Sequence, residues 1–109
     1  MNIIQTNETD KKGLYNLTRS PKIRKMSDAI GQQLAVATYA IYTDDKEDGS
    51  SVDILSIQDQ DGTVYATNSA TALSEFEGIL EIMGDDPFSV EIIQGLSKAG
   101  RNFITLALV

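Results

Sequence analysis

The chain contains no cysteine, no histidine and no tryptophan in 109 residues, and only two prolines. Without cysteine there is no disulfide and no thiolate nucleophile or metal ligand, and a reducing compartment suits the chain. Without histidine the usual zinc sites, Ser-His triads and most general-base arrangements fall away. No apolar run approaches the ~20 residues of a membrane span, and the opening residues lack a secretory-signal pattern. No glycine-rich phosphate loop of the Walker or dinucleotide type is present. Ser97 and Lys98 are adjacent in a turn, which does not create a Ser-Lys nucleophile. The expectation is a protein without enzymatic activity, cofactor or membrane association.

Positive charge is scarce as well. Nine Lys and Arg face sixteen Asp and Glu, a net charge of −7, which argues against indiscriminate binding to nucleic acid or anionic lipid. The average hides a split. Residues 1–43 hold six cations (Lys11, Lys12, Arg19, Lys22, Arg24, Lys25) and three acids, residues 44–97 hold thirteen acids and Lys46, and residues 98–109 hold Lys98 and Arg101 with no acid. Two short segments can therefore set up a local positive field on an acidic body.

What is present reads as one folded domain, with 41% hydrophobic residues. Residues 1–20 are expected as a flexible N-terminal arm, polar and aperiodic after Ile4, with Leu14–Leu17 adding a short strand or turn. Ser20-Pro21 opens a stretch in which Ile23, Met26 and Ile30 fall at helical spacing before Gly31, the pattern of a short helix or turn. Residues 32–43 are apolar on both faces, as in a long strand that bends to serve two sheets. A hydrophilic loop follows, then strands over 52–58 and 63–67 joined by an Asp-Gly turn. Asn68, Ser69 and Thr71 supply N-cap candidates for a helix whose stripe is Leu73, Phe76, Leu80 and Met83. Glu75, Glu77 and Glu81 take its other side; Gly84 stops it and Pro87 prevents a restart. Two alternating runs, Phe88–Gln94 and Asn102–Val109, flank a polar turn with two glycines and read as a hairpin. Its last strand sets Ile104, Leu106 and Leu108 on a core face and Phe103 and Thr105 on the other.

The order β-β-β-α-β-β is that of the oligonucleotide/oligosaccharide-binding (OB) barrel: mainly β, five strands, with the helix between the third and fourth. The competing fold is an α+β sheet with one packed helix. The domain proper is expected over residues 21–109.

Residues 61–69 (Asp-Gly-Thr-Val-Tyr-Ala-Thr-Asn-Ser), running into the helix with Phe76, resemble a stretch of phage-encoded single-stranded-DNA-binding proteins. So does the spacing Gly95-x-Ser97-Lys98-x-Gly100-Arg101-x-Phe103-x-Thr105. The likeness spans residues 32–109. It implies a barrel that coats single-stranded DNA in phage replication or recombination, in the host cytoplasm. The chain departs from familiar bacterial proteins of that role by ending in an apolar strand rather than an acidic tail.

Sequence-tolerant binding of single strands joins a positive groove to rings on which bases stack. The chosen rings are Tyr65 and Phe103, then Tyr39. Tyr65 alternates with Val64 and Ala66, so it points outward if those face the core; Phe103 does the same against Ile104 and Leu106. Tyr42 falls on the face opposite Tyr39. For every ring the competing reading is a core position. Lys98 and Arg101 are expected to meet phosphates, with Lys22, Arg24 and Lys25 as a second bank; the competing reading is a solvated cation. Few rings on an acidic body imply modest binding by one domain, hence cooperative self-association. Asp44–Gly49 and Asp59-x-Asp61-Gly62 hint at calcium loops, but Lys46 stands where a ligand oxygen belongs and the closing Glu is missing, so no metal is expected. The alternative function is a small acidic module that occupies a host protein's DNA channel, suggested by the thirteen acids of 44–97. A virion or assembly component is a third.

Overall fold

Gln33–Asp45 is apolar on both faces because it lies between two layers. The computed structural model describes residues 1–109. Its elements are β1 (Asn2–Thr6), α1 (Lys11–Thr18), β2 (Arg24–Lys25), a 3-10 helix (Met26–Ala29) and the long strand β3 (Gln33–Asp45). Then come β4 (Ser51–Asp59), β5 (Val64–Thr67), α2 (Ala70–Met83), β6 (Ser89–Leu96) and β7 (Asn102–Leu108). Along one edge β3 pairs with β4; along the other it pairs first with β6 and then with β1. The register with β4 slips between Val36 and Thr38, a bulge that bends the strand. Asn7 brackets the bend: its amide donates to the Ala37 carbonyl (3.3 Å) and accepts the Tyr39 N–H (2.9 Å). Backbone groups freed by the bulge are thereby satisfied.

The strands run β2-β5-β4-β3-β6-β7 and curl into a mainly β half-barrel. Its inner face carries Tyr39, Ile41, Leu55, Ile57, Val90, Ile92 and Leu106, closed by α2. That helix forms as the stripe predicts, with Ala72, Leu73, Phe76, Ile79 and Leu80 buried. Ser69 is the N-cap and accepts the Ala72 N–H at 3.2 Å. Gly84, at φ +57, ends it with its N–H on the Leu80 carbonyl. Tyr39 and Phe76 meet edge to face at 5.1 Å between centroids, and Phe88 lies 5.9 Å from Phe76 with its ring tilted.

Several expectations are corrected. Residues 1–20 do not stand apart as an arm: β1 adds to β3, and α1 buries Leu17 against Ala40, Tyr42 and Val64. An isolated eight-residue helix is marginal, so α1 depends on that contact. Arg19 adds two hydrogen bonds to Asp44 (3.0 and 3.5 Å). Burial, then the Asp44 charge, holds the Tyr42 phenol above its ordinary pKa. Nor is 22–30 one helix; Ile23 packs beneath α1, Met26 enters the main core and Ile30 is exposed. There are seven strands rather than five, and the helix follows the fifth because β1 and β2 precede the expected set. Among β3 to β7 the expected order holds, with α2 after the third. The outer edge of β5 is taken by β2, in parallel, and not by β7, so a seam stays open between β5 and β7.

The two suspected calcium loops are turns held by their own carboxylates. Asp59 Oδ1 accepts the N–H groups of Asp61 and Thr63, and Asp48 Oδ1 takes the N–H and hydroxyl of Ser50.

Candidate nucleic-acid interface

The β6–β7 hairpin has only one covered face. Leu106 is buried and Ile104 packs on the core, while Phe103 lies outside both apolar clusters, directly across from Gly95. Its ring leans over that glycine so closely that a Cβ at Gly95 would fall inside its van der Waals envelope. Glycine is thus what lets the ring lie against the strand. Gly95→Ala is expected to push the ring off the sheet. If the ring is a stacking platform, oligonucleotide affinity drops by about 1 kcal/mol, some fivefold, by fluorescence anisotropy. The urea midpoint should change little, because the ring can swing into solvent.

The hairpin tip turns on Gly100 (φ +79), with Ser97 N–H on the Arg101 carbonyl (2.9 Å) and Arg101 N–H on Ser97 Oγ (3.1 Å). This clamp presents Lys98 and Arg101 to solvent two to five positions before Phe103. On the other side of the seam, β2 carries Lys25. Lys25 and Phe103 line one cleft of about 620 Å³, together with Thr67, Asn68, Thr71 and Asn102. Lys22 and Arg24 do not join them. They border a second hollow of about 410 Å³ beside the Gly62-Thr63 turn. The ion pairs in the protein are Met1–Asp45 and Arg19–Asp44, so none of Lys22, Arg24, Lys25, Lys98 and Arg101 is neutralised by a carboxylate.

Two of the three chosen rings are elsewhere. Tyr65 is 6% exposed and Tyr39 is 9% exposed, both within the main core, so neither offers a face to a base. Tyr65 points inward because its neighbour Val64 is buried on the opposite side, under α1, and not in the main core. A ring that is exposed without having been singled out is Tyr15 on α1, 48% exposed and outside both hollows. Its signal was the helical spacing of Leu14, Leu17 and Thr18, which leaves Tyr15 on the outer side. Asn68 and Thr71 were read only as capping residues, and nothing local to Asn102 pointed to a cleft.

A mainly β domain with a half-buried ring on the open side of its last hairpin and cations that no carboxylate pairs has the features of a single-strand-binding module. Residues 3–109 match the family model of the Phi29 phage single-stranded DNA-binding protein, and the chain belongs to that family. It is a family of DNA-binding proteins, with single-stranded DNA as partner. No curated protein and no solved structure matches the chain. No helix is long and apolar enough to cross a membrane.

Proposed function

We propose that the protein coats single-stranded DNA of any sequence during phage DNA replication or recombination, in the host cytoplasm, on an OB-like half-barrel. Bases stack on Phe103, and the phosphate backbone runs over Lys98, Arg101 and Lys25, with Lys22 and Arg24 taking an adjoining stretch. Tyr39 and Tyr65 serve by shaping the sheet rather than by touching DNA. The carrying observation is that these five cations stay unpaired on a chain with a surplus of acids. With one principal ring per domain, tight coverage requires neighbouring copies to bind cooperatively.

The test is binding of labelled oligo-dT across a salt series. Neutralising three to five phosphates predicts a slope of log affinity on log salt of roughly −2 to −3.5, at ~0.7 per contact. Between about 50 and 200 mM salt that is a loss on the order of 20- to 100-fold. Absence of binding at low salt and micromolar protein would overturn the reading in favour of an acidic protein-binding module. Isolated monomers on saturated DNA would contradict the cooperative part alone.

A further inference from the structure

Where a closed barrel would join β5 to β7, this protein keeps a cleft of about 620 Å³. That volume lies within the range of small-molecule pockets, which hold a ligand by apolar walls and a few placed polar groups. The walls are chemically distinct. Phe103 lines it from β7, the tip of its ring lying over Gly95 of β6, and Lys25 supplies a cation from β2. Asn68 and Asn102 bring side-chain amides from opposite sides of the seam, and no protein group hydrogen-bonds to either amide. The edge of β7 adds main-chain polarity. The Ile104 carbonyl turns out of the β6–β7 ladder toward the seam and accepts the Ser69 hydroxyl at 2.5 Å. By strand alternation the main-chain groups of Asn102 turn the same way. Thr71, in the first turn of α2, completes the rim, and that turn contains no acidic residue.

A ring, two amides able both to donate and to accept, and a cation match the parts of one nucleotide: base face, base edge and phosphate. A phosphate alone would not need the ring or the amides. We infer that the open seam between β5 and β7 is a nucleobase subsite. One base of the bound strand enters it beside Phe103, its edge is read by Asn68 and Asn102, and its phosphate is held by Lys25. This rests on the strand-binding reading above and qualifies it: every sequence binds, but affinity is graded by the base that fills the cleft.

The experiment compares oligo-dT, oligo-dC and oligo-dA of equal length by anisotropy at one salt concentration. The proteins are wild type, Asn68→Ala/Asn102→Ala, Thr71→Glu and Thr71→Lys. Wild type is expected to separate the best and worst homopolymer by at least ~5-fold, the effect of a good edge contact. The double alanine variant should compress that ratio to within about twofold while still binding all three. Thr71→Glu should weaken binding to every homopolymer although a carboxylate in the first helical turn favours the helix, so its melting temperature is unchanged or raised. Thr71→Lys should strengthen binding, and it carries the electrostatic arm if the glutamate variant melts early. A wild type that binds the three equally, or a base ratio that survives in the double variant, overturns the subsite and leaves strand binding intact. A wild type that binds none overturns both.

Discussion

Phe76→Ala is expected to cost the protein about 3–5 kcal/mol of stability, the range for removing a large buried ring that leaves a cavity. The side chain is fully buried and stands at the junction of three elements. It projects from α2, packs edge to face with Tyr39 of β3 at 5.1 Å, and meets Phe88 just ahead of β6 at 5.9 Å. A shrunken side chain cannot be replaced by any one of these neighbours, because each is anchored in a different strand or helix. Domains of this size are stable by only about 5–15 kcal/mol, so the variant should sit near its threshold. Urea denaturation followed by circular dichroism should show a much lower midpoint with an unchanged slope, and the melting temperature should fall by on the order of 20 °C. The functional corollary is specific. α2 carries Ser69 and Thr71 at the mouth of the cleft, and the Ser69 hydroxyl ties the helix to β7 through Ile104. Protein that is still folded at low temperature should bind oligonucleotide close to normally, since Phe76 is not one of the residues that line the cleft. A midpoint shift below about 1 kcal/mol would mean that the three elements do not depend on this ring.

The same contrast between covered and uncovered faces explains what the sequence made legible. The α2 stripe was readable because the helix has four turns and one apolar side, with Leu73, Phe76 and Leu80 inside and Glu75, Glu77 and Glu81 outside. The two-faced character of β3 was readable because Tyr39 and Ile41 alternate with Ala40 and Tyr42, leaving no polar face. Tyr65 misled for the same reason. Period-two alternation tells sides apart, but it names the outside only where one side meets water. β5 has α2 and the main core on one side and α1 on the other, so Val64 and Tyr65 are both interior. The layer responsible is α1, which is short, begins Lys-Lys-Gly and makes no side-chain N-cap bond at Asp10. Such a segment forms through its tertiary contact at Leu17, and no local signal records that contact. The cations of 19–25 were likewise visible in the sequence, but their division between two hollows was not. It follows from β2 pairing with β5, which turns Lys25 into the seam and Arg24 away from it.

Phe103→Ala should act in the opposite way to Phe76→Ala: affinity falls and the fold survives. Loss of one stacking ring costs about 1–3 kcal/mol per base, a rise in dissociation constant between about fivefold and 150-fold. Stability should change by less than about 1 kcal/mol, because the ring covers Gly95 on the open side of the hairpin and fills no cavity in the main core. Phe103→Trp should retain or improve binding, since a larger π-face serves any base equally well, whereas Phe103→Leu, apolar but without a π-face, should resemble alanine. The electrostatic part of binding provides an internal control. Lys98, Arg101 and Lys25 are untouched in Phe103→Ala, so its salt slope should equal that of wild type while the whole line is displaced to weaker affinity. A changed slope would place the defect in the cations, through a hairpin tip that no longer holds Lys98 and Arg101. A midpoint lowered by about 3 kcal/mol or more with affinity preserved would make Phe103 a packing residue and leave the strand without its platform. Because Gly95 lies beneath the ring, Gly95→Ala added to Phe103→Ala should produce no further loss, a non-additivity expected only if both changes act through the same aromatic face.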